Sequence, residues 1–118
     1  MRYEDLSVYQ VDNFMRHPGV IVIDIRDIYS YRDGHLQGAK HIDSGVMEKL
    51  MRLHMSNPPV LVYGYRGDSS RDMAESLSAF GFTNVSHLVG GWEAWEIYHS
   101  QLQDDTFYYS DGLVGLPA

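Results

Sequence analysis

The 118-residue chain contains no cysteine. That absence excludes disulfide frameworks, thiolate metal sites and every mechanism that runs through a thiol. Positive charge is scarce as well. Nine Lys and Arg stand against sixteen Asp and Glu, for a formal net charge of −7, and the basic residues form no cluster. Such a surface repels phosphate backbones and anionic lipid, so neither a nucleic acid nor a membrane is expected as a partner. No apolar run approaches the ~20 residues that cross a bilayer. Met1 to Leu6 lacks the apolar stretch of a secretory leader, so a cytoplasmic protein is expected. His17, His35, His41, His54, His87 and His99 are scattered without ligand spacing, so neither a metal nor another cofactor is expected. Internal repeats and low-complexity segments are missing too.

What is present is a globular pattern. Hydrophobic residues make up 44% of the chain and are interleaved with charge, enough for one core without staples. A single domain is predicted over 1–118, with 103–118 a tail of unassigned packing.

Strands and helices are predicted to alternate. Tyr3 to Leu6 reads as a short edge strand. Ser7 and Gln10 have the spacing of a capping box, and Val11, Phe14 and Met15 fall on one helical face before Pro18 and Gly19. Val20 to Ile25 is a β-branched run suited to a strand covered on both faces. A helical turn around Tyr29 to Asp33 precedes a brief strand near Lys40 to Ile42. Ser44 is placed as the cap of a helix running to about Met55. Pro58 and Pro59 precede the strand Val60 to Tyr63, and a helix spans about Ser70 to Phe80 with Gly81 as its C-cap. Val85 to Val89 is the last strand, and Gly90 and Gly91 turn into a helix beginning near Trp92. This alternation implies an α/β fold with a parallel sheet between two helical layers.

Apolar residues of the fourth strand run into a glycine-containing turn that opens at once into a helix. That arrangement aims backbone N–H groups and a helix N-terminus at one spot, where anionic chemistry belongs.

Three segments carry a specific resemblance. The first is Asp24 and Arg26 followed by YRDGHLQGAKHI from Tyr31 to Ile42; the second is VYGYRGDSS from Val62 to Ser70; the third is LVGGWEAW from Leu88 to Trp95. In order and spacing they resemble the signatures of rhodanese-like domains, closest to the single-domain bacterial sulfurtransferases. The resemblance implies a five-stranded, mainly parallel sheet flanked by helices. It also implies an active-site loop of pattern Cys-x-x-Gly-x-(Ser/Arg), whose thiolate takes sulfane sulfur from a donor such as thiosulfate and passes it on as a persulfide. Aligned on Gly67, that nucleophile position falls on Gly64, and the six-residue length from Gly64 to Ser69 is kept.

The resemblance therefore implies no catalytic residue, and a non-enzyme is expected: a binding or regulatory module with a protein partner. The alternative is a sulfurtransferase-related protein whose loop, Gly64, Tyr65, Arg66, Gly67, Asp68, Ser69, Ser70 and Arg71, still binds thiosulfate, another sulfur oxyanion or a partner's persulfide. Gly64 has two readings, drift after loss of function or room for a ligand, and drift is preferred. Arg66 and Arg71 either converge on an anion or serve the surface, Arg66 at the loop tip and Arg71 paired with Glu75. Asp68 would oppose an anion. Ser69 and Ser70 are read as capping residues with no base beside them in sequence. Arg26 is expected to pair with Asp27 or Asp33, and His35 to bond backbone. His54 and His87 are expected in or beside the core, and Trp92 and Trp95 on the sheet. Phe107, Tyr108 and Tyr109 are expected to pack back on the domain.

Overall fold

The computed structural model describes residues 2–109, and side chains as far as residue 102. Five strands form one sheet: β1 (Glu4–Leu6), β2 (Ile21–Asp24), β3 (Lys40–His41), β4 (Val60–Tyr63) and β5 (Val85–Leu88). Their order is β1-β5-β4-β2-β3, and every ladder among the described residues is parallel. Parallel strands need covered crossovers, which α1 (Val11–Phe14), α2 (Ile28–Asp33), α3 (Val46–Arg52), α4 (Asp68–Phe80) and α5 (Gly91–Tyr109) provide.

The period-two alternation of each strand divides the core between the two faces. Leu61, Tyr63 and Leu88 point toward Val11, Phe14, Trp92 and Trp95. Val60, Val62 and Val85 point the other way, toward Val46, Leu50, Ala74 and Leu77. All four residues of β4 are fully buried, which is why that segment is apolar at every position.

Several local expectations need correction. Ser44 does not cap α3. It closes a 3-10 turn over Ile42–Ser44 and donates to the His41 carbonyl at 2.6 Å, while Gly45, at φ +83°, starts α3. The helix then ends at Arg52, and His54–Ser56 forms a separate 3-10 turn. At the Ser7 box, Gln10 Oε1 accepts the Ser7 N–H at 2.9 Å. α5, for which the sequence suggests only a start near Trp92, runs from Gly91 to Tyr109. The side chains of Phe107, Tyr108 and Tyr109, and all of 110–118, lie outside the described residues.

β4 is the central strand. The chain leaves β2 toward β3 on one side, returns to β4 and continues to β5 on the other. In an open parallel sheet this reversal leaves a crevice beyond the carboxyl ends of the strands. The loops after β2 and β4 both open there.

Candidate functional site

The loop from Gly64 to Gly67 joins β4 to α4. What shapes it is the N-terminus of α5. The amide of Trp92 donates to the Gly64 carbonyl at 2.8 Å, and that of Glu93 to the Tyr65 carbonyl at 3.1 Å. A trans peptide carries its C=O and N–H on opposite sides, so fixing these two carbonyls turns the N–H groups of Tyr65 and Arg66 away from α5. At the next corner Gly67, at φ +116°, presents its carbonyl to the Arg71 amide and the Ser70 hydroxyl, which turns the Asp68 N–H outward in the same way. Ser69 and Ser70 follow in the first helical turn, where amides have no partner within the helix. Among the described residues, none of the six amides from Tyr65 to Ser70 donates to a protein acceptor.

The glycines of the third signature explain themselves here. A Cβ on Gly91 would lie 2.6 Å from the Gly64 oxygen and from the Tyr65 carbonyl carbon and oxygen, and its φ is +61°. Only glycine lets α5 approach closely enough to hold the loop.

Beneath the loop, Arg26 joins its neighbours. Its guanidinium makes a forked contact with Asp24 (Nη2 to Oδ2 2.8 Å, Nε to Oδ1 3.1 Å), donates to the Gly34 carbonyl, and lies 4.4 Å from the Trp92 ring centroid. The expected partners Asp27 and Asp33 are not used. Asp24, two residues back at the strand end, is in reach because both side chains turn under the loop. Burial alone would lower the Arg26 pKa; the hydrogen bonds and charge of Asp24 outweigh it and hold the guanidinium above its ordinary value. Tyr63, also buried, accepts the Leu36 amide at 3.0 Å, and burial pushes its phenol well up. Asp27 instead caps α2, accepting from the Ser30 amide and hydroxyl, bonds that hold its carboxyl below the usual range. The Tyr65 hydroxyl donates to the same carboxylate, tying the cradle loop to α2.

The segment from Tyr65 to Ser69 opens onto a cavity of about 610 Å³ lined by Ile25, Gly64 to Ser69, Trp92, Glu93 and Glu96, while Ser70 is buried behind it. A larger cleft of about 1170 Å³ runs along α1 and α5; it shares Trp92 and Glu96, but the bare donors face the smaller cavity.

The predicted loop residues are thus brought together, with three departures, the first being Ser70, which is fully buried and not in the lining. Arg71 is not in the lining: it pairs with Asp68 at 3.4 Å rather than with Glu75. Arg66 sits 4.0 Å from Glu93, with both side chains largely exposed, so the two arginines do not converge. Gly64 has ordinary φ; an added Cβ would meet Ile25 at 3.3 Å, so the backbone there does not require glycine.

Sequence reading missed three contributors. The α5 amides act through the backbone and Ile25 from the loop after β2, and no local signal marks them. His87 is the third. Ser70 has no base beside it in sequence, yet its Oγ lies 3.2 Å from His87 Nδ1 across the fold. His35 bonds the Tyr31 carbonyl at 2.7 Å as expected. His54 packs edge-on against Phe80 and Phe82.

The central strand of a parallel α/β domain thus ends in a loop whose amides have no protein acceptor among the described residues. The Rhodanese-like domain family matches residues 7–98, and the chain belongs to that family. It is 31% identical over 99 residues to the thiosulfate sulfurtransferase GlpE of Coxiella burnetii, covering 84% of this chain and 92% of the relative. To the protein of the same name from Pseudomonas fluorescens it is 40% identical over 81 residues, covering 69% and 74%. Among solved structures it resembles a rhodanese-related protein from Thermoplasma volcanium (TM-score 0.67, 22% identity, 81% and 93% covered). A Rhodanese-like domain from Anabaena is similar (TM-score 0.63, 25% identity, 83% and 76% covered). The five-stranded parallel sheet with its helices agrees with these neighbours.

Proposed function

We propose that this rhodanese-like domain has no sulfurtransferase activity of its own and acts as a binding module whose cradle receives an anionic sulfur group. The observation that carries the reading is the run of amides from Tyr65 to Ser69, without a protein acceptor among the described residues, that lines a cavity in a chain without a thiol. Relatives named thiosulfate sulfurtransferases suggest the ligand class: thiosulfate, another sulfur oxyanion, or a persulfide on a partner protein. A hydroxyl does not carry sulfane sulfur as a persulfide does, so Ser69 and Ser70 do not replace the missing nucleophile.

The rim tempers affinity. Asp68, Glu93 and Glu96 stand around the opening, and the one lining arginine, Arg66, is near Glu93. Small free anions are therefore expected to bind weakly, and less weakly as salt screens the rim.

An amide chemical-shift titration with thiosulfate and sulfate tests the reading. Saturable shifts confined to residues 64–70 are expected, with no turnover in a thiosulfate-to-cyanide assay. Unmoved amides at millimolar anion would remove the cradle from the account, and turnover by the isolated chain would overturn the non-enzyme reading.

A further inference from the structure

A buried hydrogen-bond chain runs behind the cradle. Ser70, fully buried in the first turn of α4, places its Oγ 3.0 Å from the Gly67 carbonyl and 3.2 Å from His87 Nδ1 on β5. His87 is 3% exposed. Its Nε2 lies 2.9 Å from Oδ1 of Asp5, the residue in register with it on β1. The composition is that of a hydrolytic triad, but the hydroxyl has no surface from which to attack a substrate. Its use lies elsewhere.

A serine hydroxyl has one hydrogen, and here two neighbours compete for it. An ionised Asp5 only accepts, so His87 Nε2 carries a hydrogen toward it in either charge state. With the ring neutral, Nδ1 is then a bare lone pair. It draws the Ser70 hydrogen, and the Gly67 carbonyl keeps only the Arg71 amide. With the ring charged, Nδ1–H donates to Ser70 Oγ and the hydroxyl hydrogen goes to the Gly67 carbonyl. That peptide is the one whose far side turns the Asp68 N–H into the cradle. A positive ring one hydrogen bond behind the amides also attracts an anion. The two effects have the same sign.

Resting on the reading of the cradle as an anion site, we propose that His87, oriented by Asp5, is a positioning residue for the cradle and that the proton on its Nδ1 is coupled to anion binding. The cradle grips more tightly when the ring is charged, and by reciprocity an anion in the cradle favours the charged ring. Around the ring, Asp5 and the edge-on Tyr3 (centroids 5.6 Å apart) approach from the β1 side and Ser70 from α4. On β4 its register partner is the apolar Val62. Asp5 is the only charge among these neighbours.

The test uses the full chain with sulfate and thiosulfate, dianions whose own charge is constant from about pH 8 to about pH 5.5, across the range in which histidine changes charge. Ionic strength is held fixed. Dissociation constants come from the amide shifts of residues 65–70, and the ring shifts of His87 are followed together with them. Affinity is expected to rise about five- to tenfold toward the acid end, and saturating sulfate to move the His87 ring shifts toward the charged form. His87→Gln, which hydrogen-bonds without titrating, is expected to flatten the profile to what the remaining histidines contribute. Asp5→Asn, at a largely exposed side chain, is expected to shrink the dependence over the same range, and serves if His87→Gln disturbs the amide spectrum. Firm binding with a profile unchanged in both variants, or His87 shifts indifferent to sulfate, overturns the coupling and leaves the anion site standing. Absence of binding at every pH overturns the anion site and the coupling with it.

Discussion

Replacing Gly64 by cysteine asks whether the cradle still does to a thiol what its geometry implies. The backbone at Gly64 has ordinary φ, and the nearest atoms to a new Cβ are Ile25 Cγ1 at 3.3 Å and Cδ1 at 3.4 Å. The fit therefore needs a side-chain shift of a few tenths of an ångström and no backbone strain. An amide ring with a helix N-terminus lowers a cysteine from ~8.5 into the range ~3.5–7.5. Three rim carboxylates against one lining arginine favour the upper part of that range, near ~6.5. Two units of depression correspond to about 2.7 kcal/mol between thiol and thiolate. The sign follows from linkage: the contribution to stability is complete above the unfolded value of ~8.5, about 0.8 kcal/mol at pH 7, and gone once pH falls well below ~6.5. Because the parent chain has no cysteine, the new thiol titrates alone in thiolate absorbance or in the pH dependence of alkylation, with Gly64→Ala as the steric control. A thiol titrating near ~8.5 in a variant with an intact amide spectrum would refute the argument, because unpaired amides that do not stabilise a thiolate are not a cradle.

Other outcomes follow from the same geometry. Gly91→Ala drives a Cβ against the Gly64 and Tyr65 backbone at left-handed φ; overpacking and strain together should cost about 3 kcal/mol in urea unfolding, with the largest shift changes in residues 64–67. Tyr63→Phe strands the buried Leu36 amide and should destabilise by about 1–3 kcal/mol; in the parent, tyrosine absorbance should show one phenol resisting ionisation past the ordinary range, and the variant should lose that straggler. Asp27→Ala removes the cap of α2 and the Tyr65 anchor. Because the Asp27 pKa is depressed, its stabilisation is present above the ordinary value of ~3.9 and lost below it. The melting-temperature gap between variant and parent should close as pH falls through that region; a gap that persists in acid would assign the effect to something other than the carboxylate.

Much of the fold was legible because parallel sheets announce themselves in patterning. Val20 to Ile23 and Val60 to Tyr63 are apolar at successive positions because both sheet faces are covered, and Gly81 sits at φ +127° where the helix had to stop. Ser44 misled because a hydroxyl before an apolar helical pattern looks like a cap whether the chain enters the helix there or one residue later through a left-handed glycine. Arg26 misled because the search for its partner looked forward along the chain, whereas the strand end folds back and brings Asp24 under it.

The amino-acid sequence by itself determined the family, the alternation of strands and helices along the chain and the absence of a thiol, since each of these is written in residue identity and short-range spacing. Only the tertiary structure decided what surrounds Gly64. The Gly64 and Tyr65 carbonyls are claimed by the amides of Trp92 and Glu93 in α5, and that distant claim turns the Tyr65 and Arg66 N–H groups away from α5. Ser70 meets His87 and His87 meets Asp5 only because β5 lies between α4 and β1. Hydrogen bonds depend on distance and direction in space, and neither is encoded by separation along the chain.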